Sequence, residues 1–206
     1  MRLLTLTTLY PNAAMPNHAT FVENRLRRIV ATGRVSARVV APGPWFPLTW
    51  KMFGSYAQFA QVPRAEERHG LSITHPRFLI VPGRPTWQPW TYLHAAKAEV
   101  ERLRRNGWDL DVIDCHYLYP DGVVAARLGR LLGKPVVVSC RGTDVNLIAQ
   151  LPGPRRQIEA AMDGIDRLIT VSAALGKRAE SLGFAPERIH VLRNGVDDQT
   201  FQPVDG

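Results

Sequence analysis

Short runs of β-branched and apolar residues alternate along this chain with longer amphipathic stretches, and that alternation constrains the fold more than any other feature. It is the pattern of strand–helix–strand units on a parallel sheet. The strand-like runs fall at residues 2–8, 35–41, 71–80, 110–115, 135–140, 167–171 and 189–192. The run PVVVSC at 135–140 is almost continuously apolar, as suits a strand buried on both faces. Residues 71–80 read as one strand or two short ones, broken at Pro76. Between the runs lie helical stretches. One opens at Thr20, where Thr20 and Glu23 have capping-box spacing, carries Val22, Leu26, Ile29 and Val30 as its stripe, and stops at Gly33. A second lies within 87–106, with Leu93, Ala96, Val100 and Leu103 on one face, and is ended by Gly107. A third begins at Pro120-Asp121-Gly122 with Asp121 as N-cap and ends at Gly133; a fourth covers 155–162, and a fifth is capped by Ser172. The expectation is an α/β, doubly wound domain on a mainly parallel sheet of about seven strands. Residues 42–70 are the least regular part.

The chain has 206 residues, 45% of them hydrophobic and 21% charged. That suits one large domain with a sizeable core and no need of a disulfide framework. Cys115 and Cys140 each end a strand-like run, lack metal-site spacing, and read as reduced packing residues. The N-terminus lacks the h-region of a signal peptide, and no apolar run approaches the ~20 residues of a membrane-spanning helix. The cytoplasm is the expected compartment.

The net charge of +8 is uneven. Residues 1–140 hold 18 Lys+Arg against 9 Asp+Glu, and residues 141–206 hold 8 against 9. Such an excess fits nucleic acid, an anionic membrane surface or a phosphorylated substrate, and does not choose among them.

Open parallel sheets bind ligands at the carboxyl ends of their strands. That rule selects His116 after one run, Arg141-Gly142-Thr143-Asp144 after the next, the loop holding Asn17, His18 and Thr20, and Ser172 and Asn194 at further strand ends. Each has an ordinary alternative: a surface histidine, an Arg141–Asp144 ion pair, or helix caps at Thr20, Asp121 and Ser172. Several chemistries lack their motif. There is no GxGxxG after the first strand, no GxxxxGK[ST] and no GxSxG. His116 has no metal partner at useful spacing, and no nucleic-acid-binding motif is present.

Four segments in order then match a known pattern. The loop YPNAAMPNHATFVENRLRRI, the stretch DVIDCHYLYPDGVVAARLGRLLGKPVVVSCRGTD, the segment IDRLITVSAALGKRAESLG and the terminal VLRNGVDDQTFQP resemble the N-terminal domain of family-4 (group 1) glycosyltransferases. The resemblance implies the Rossmann-like, acceptor-side half of a GT-B fold over residues 1–193. Residues 194–206, which include Asn194-Gly195-Val196-Asp197 and Phe201-Gln202-Pro203, would start the hinge to a donor-binding C-terminal domain absent from these residues. It implies sugar transfer from a nucleotide-sugar donor, with retention and without metal or cofactor, to a glycan, cell-envelope or lipid-linked acceptor. A fragment without the second domain would be inactive.

By the same resemblance His116 is catalytic, either hydrogen-bonding the donor sugar or stabilising charge as the glycosidic bond breaks. Asn17, His18, Ala19, Thr20, Tyr119, Arg141, Gly142, Thr143, Asp144 and Asn194 are substrate-binding. Ala19 stands where relatives often have Gly, which weighs against close backbone approach to phosphate there. Relatives act at the inner membrane face, and Trp45, Phe46, Trp50, Lys51, Met52 and Phe53 combine aromatics with a cation as interfacial segments do, so peripheral contact with an anionic membrane joins the expectations. A loop packed on its own domain reads equally well there. The competing functions are a non-catalytic sugar- or nucleotide-binding module and a nucleotide-sugar epimerase of GT-B fold.

Overall fold

A computed structural model describes residues 1–45, 60–80, 83 and 85–195. The main sheet has eight strands: β1 (Arg2–Leu6), β2 (Ser36–Val40), β4 (Ala65–Arg68), β5 (Leu71–Thr74), β7 (Val112–His116), β8 (Val136–Cys140), β9 (Arg167–Thr170) and β10 (Ile189–Val191). Their order is β10-β9-β8-β7-β1-β2-β5-β4. Seven run parallel and are the seven read from the sequence; β4 pairs antiparallel with β5 and was missed. Its sequence, AEER, has no apolar alternation to betray it. The expected break at Pro76 is present: beyond it, β6 (Arg77–Leu79) leaves the main sheet and pairs with β3 (Gly43–Trp45).

The helices are α1 (Thr20–Ala31), α2 (Gln88–Arg105), α3 (Val123–Leu132), α4 (Thr143–Asn146), α5 (Pro152–Ala161) and α6 (Ala173–Ser181). Strand alternation divides their packing between two faces. On one face Leu4, Leu6, Ile113, Cys115, Val136, Val138, Cys140 and Leu168 join α2, α3, α5 and α6 in one apolar core. On the other, Leu3, Val39, Ala41, Leu71 and Ile73 pack with Val22 and Leu26 of α1. Each fully buried aliphatic side chain contributes roughly 1.5–3 kcal/mol. Gly129 lets α3 lie close on β8: a Cβ there would sit 2.3 Å from a Val136 methyl and 2.8 Å from the Lys134 carbonyl.

Two helix starts differ from expectation. Thr20 is the first helical residue and caps nothing; the N-cap is Ala19, in the left-handed region at φ 51°. Glu23 does not reach back, because the Arg68 guanidinium holds its carboxylate at 2.8 Å. Nor does Asp121 cap α3. It is fully buried in a turn with π-type hydrogen bonding (Leu118–Gly122) before the helix. Ser172 does cap its helix, its hydroxyl accepting from the Leu175 N–H at 3.2 Å. Both cysteines are buried and free.

Chain direction reverses at β1: the chain proceeds outward through β2 and β5, then returns to β7 on the other side. Parallel sheets open a crevice at such a switch point, at the strands' carboxyl ends. His116 ends β7 beside β1, and the loop of residues 7–19 leaves β1 at the same edge.

Candidate functional site

Alternation along β7 sends Ile113 and Cys115 to the large core, and Asp114 and His116 to the α1 face. His116 is completely buried. Its Nε2 lies 3.1 Å from Asp114 Oδ2 and 3.3 Å from an Arg25 guanidinium nitrogen; its Nδ1 lies 2.7 Å from Arg141 Nη2. A guanidinium only donates, so Nδ1 carries the lone pair and Nε2 carries the proton, which it donates to Asp114. Burial pushes the imidazole pKa down, against the pull of Asp114, and the two guanidinium groups add to the fall. The ring is therefore neutral in one defined tautomer. Burial alone would raise the Asp114 carboxyl; His116 and Arg25 more than reverse this and hold it at about 2.

Arg141 begins the loop after β8. Its guanidinium bridges His116 Nδ1 and, at 3.2 Å, Asn194 Oδ1, and lies 4.6 Å over the Phe21 ring. Through Phe21, which follows Thr20, the end of the 17–20 loop meets Arg141. Asn17 and Thr20 are exposed there, and His18 and Ala19 half-buried. Ala19 thus adopts the left-handed conformation natural to the Gly expected in relatives, despite its Cβ.

The rest of the Arg141-Gly142-Thr143-Asp144 segment divides. Thr143 is exposed. Gly142 has φ 124°, a region side chains rarely adopt. Asp144 is fully buried and forms no side-chain ion pair with Arg141; it accepts from the backbone N–H groups of Arg141 (3.0 Å), Gly142 (2.8 Å) and Leu118 (2.8 Å). Its work is to shape the loop. Tyr119 also points into the fold, its hydroxyl donating to Gln157 Oε1 on α5 at 3.2 Å. The structure therefore brings together His116, Arg141, Asn194 and the end of the 17–20 loop, and keeps Asp144 and Tyr119 as supports.

Sequence reasoning missed Arg25, Asp114 and Phe21. Asp114 was legible: two residues before His116 on a strand, it must share its face. Arg25 and Phe21 needed the docking of α1. Asp121 was misread as a cap. Its carboxylate accepts from the Thr8 N–H, from Thr8 Oγ1 at 3.0 Å and from the Tyr92 hydroxyl at 3.1 Å, so it pins the start of the loop after β1. Burial pushes its pKa up to about 7 against those hydrogen bonds.

Between α1 and the face of β8–β10 runs a groove of about 510 Å³, lined by Arg25, Arg28, Ser139, Arg141, Arg193 and Asn194 among others. Among the described residues no cluster of His, Cys, Asp and Glu is arranged to hold a metal ion. No described helix is long and apolar enough to cross a membrane. Trp45 is exposed, whereas Phe46, Trp50, Lys51, Met52 and Phe53, and the hinge residues Val196, Asp197, Phe201, Gln202 and Pro203, lie outside the described residues.

The doubly wound sheet with its polar groups gathered at the switch point defines the class of fold, and the sequence places the chain in a family. The profile of Glycosyltransferase Family 4 matches residues 56–200, and the chain belongs to that family. A Bacillus subtilis protein named as a teichuronic acid biosynthesis glycosyltransferase, TuaC, is 26% identical over 206 residues, which cover 98% of this chain and 51% of that protein. The chain thus spans about half the length of that relative. Two solved structures share the fold: a UDP-glucosyltransferase from Polygonum tinctorium (TM-score 0.57, 11% identity, 95% of this chain and 52% of that one) and the UDP-GlcNAc 2-epimerase of Methanocaldococcus jannaschii (TM-score 0.53, 12% identity, 94% and 46%).

Proposed function

We propose that these residues form the acceptor-side half of a glycosyltransferase that moves a sugar from a nucleotide-sugar donor to a cell-envelope, polysaccharide or lipid-linked glycan acceptor. The observation that carries this reading is the family match over residues 56–200. The site geometry supports it. Residues 1–193 would wall one side of the cleft, residues 194–206 would lead toward a donor-binding half, and these residues alone would not turn over.

In this reading His116 is the catalytic residue. Its neutral ring offers a lone pair at Nδ1 without adding positive charge, which suits a transition state in which the sugar itself becomes cationic. For Nδ1 to reach a sugar hydroxyl, Arg141 must swing away toward Asn194 or a ligand. Asn17, His18, Thr20, Thr143 and Asn194 would then contact substrate, with Gly142 permitting the turn and Asp144 and Tyr119 fixing it. Retention of anomeric configuration, chemistry without metal or cofactor, a cytoplasmic location and peripheral contact with an anionic membrane belong to the same proposal.

The test is transfer by the complete gene product with nucleotide-sugar donors and glycan acceptors. His116→Ala should lower kcat/KM by about 100-fold or more, the scale of a lost transition-state contact. A near wild-type kcat in that variant removes the catalytic assignment. Incubating donor without acceptor separates the epimerase alternative, because conversion of the nucleotide sugar to its epimer would replace transfer as the activity. Binding without either reaction would leave a non-catalytic module.

A further inference from the structure

The groove between α1 and the face of β8–β10 is lined by several positive charges. Four arginines line it, Arg25, Arg28, Arg141 and Arg193, and among the described residues no acidic one does. Arg25 is paired with the buried Asp114 at 3.2 Å. Arg141 makes no direct ion pair: among the described residues its guanidinium touches His116, Asn194 and the Phe21 ring, all neutral, and the Asp114 and Asp144 carboxylates act on it only from further away. A largely desolvated cation without a contacting counter-ion is costly unless something supplies one. Burial and the neighbouring Arg25 charge push its pKa down, against the pull of the Asp114 and Asp144 carboxylates.

Two unsatisfied groups point the same way. Among the described residues Arg141 Nε is buried without a hydrogen-bond partner, and so is the hydroxyl oxygen of Ser139, a residue only 2% exposed that lines the groove. Ser139 stands beside His116 across the β7–β8 pair. Buried polar groups are normally satisfied, so a donor pair left open on a groove wall marks where a ligand atom belongs.

We propose that this groove is an oxyanion site, in which the Arg141 fork, the Ser139 hydroxyl and Arg25 receive a carboxylate or phosphoryl group carried by a glycan. A guanidinium fork matches either group bidentately. The groove is far larger than a bare oxyanion and falls within the roughly 300–1,000 Å³ of ligand pockets, so the anion is a substituent of a larger molecule. Taking the anion turns Arg141 from His116 Nδ1 and uncovers that lone pair. The glycan identity rests on the transferase reading; the anion site rests on the groove alone.

The experiment titrates this 206-residue chain with inorganic phosphate and, separately, glucuronate, by calorimetry and by the ring resonances of His116. Saturable binding with a moving His116 resonance is expected, and the tighter probe tells phosphoryl from carboxylate. Arg141→Gln, which removes the guanidinium and keeps a polar amide, should weaken binding about tenfold or more, and Ser139→Ala about threefold. Arg104→Gln, on α2 and paired with Asp109, should leave it unchanged. If Arg141→Gln unfolds, Ser139→Ala and Arg193→Gln carry the test. No saturation up to about 50 mM overturns the site, since such an affinity is worth under about 2 kcal/mol. Equal weakening by Arg104→Gln also overturns it, reducing binding to general charge. Transfer by the complete gene product in the absence of anion binding would defeat this proposal and leave the transferase reading standing; anion binding without transfer would do the reverse.

Discussion

The two faces of the central sheet are built on different principles, although the same strands supply both. Toward α2 and α3, strands β1, β7 and β8 present Leu4, Leu6, Ile113, Cys115, Val136, Val138 and Cys140, all buried and apolar. Toward α1, the carboxyl halves of the same three strands present Thr5, Asp114, His116 and Ser139, also buried but polar, and the hydroxyls of Thr5 and Ser139 have no partner among the described residues. Period-2 alternation thus separates a face that stabilises from a face that carries chemistry, one residue apart. A dry face is held by volume, whereas a polar one is held by the pairing of its charges.

The comparison is broken most severely by a cavity on the dry face. Ile113→Ala should cost about 2–5 kcal/mol in urea unfolding, whereas Ser139→Ala on the polar face should change stability by about 1 kcal/mol or less, because it removes an unsatisfied group. Comparable losses from the two substitutions would refute the division. Next in size is the buried Asp121 carboxyl, whose pKa is raised to about 7. A raised carboxyl favours the folded state while protonated in it, so this contribution is full below about pH 4, the unfolded value, and is lost as pH rises toward about 7. The loss is on the order of 4 kcal/mol. His116, with its lowered pKa, works in the opposite sense, losing stability as pH falls below its unfolded value of about 6.5. The comparison of wild type with Asp121→Asn across pH 4–8 cancels that histidine, and only the wild type should retain the Asp121 slope. Parallel Tm profiles for the two proteins would show that the carboxyl does not titrate as described.

A smaller effect tests the rim of the polar face. Ala19 holds φ 51° at the start of α1. Ala19→Gly should therefore stabilise by about 1 kcal/mol, since the left-handed region costs a side-chain-bearing residue roughly that much. A destabilised variant would mean that the Ala19 methyl packs well enough to outweigh its backbone cost. Smallest of all, the exposed Arg155–Glu159 pair, four residues apart on α5, should contribute about 0.5 kcal/mol or less by double-mutant cycle.

Most of the fold was legible because hydrophobic periodicity reports burial directly. Seven parallel strands, the break at Pro76, the stop at Gly33 and the Ser172 cap all follow from local pattern and local hydrogen bonding. What failed were signals that depend on a distant partner. Glu23 has capping-box spacing, but Arg68 on an antiparallel edge strand claims it. Asp121 has the look of an N-cap, but Thr8 and Tyr92 claim its carboxylate. The same residue type serves either role, and the choice lies with whichever donors the fold delivers.

The site divides in the same way. His116 and Arg141 were identifiable as polar residues where strands end, and the order of the motifs identified the family to which the chain belongs. The sequence by itself determined the doubly wound sheet, its two faces and the edge where polar groups gather, because these depend on periods of two and 3.6 residues. Only the tertiary structure decided that Arg25 and Asp114 enclose His116, that Arg141 lies over its open nitrogen, and that Asp144 and Tyr119 turn inward. Those contacts join groups far apart along the chain, and a hydrogen bond depends on position and direction in space, which no local periodicity encodes.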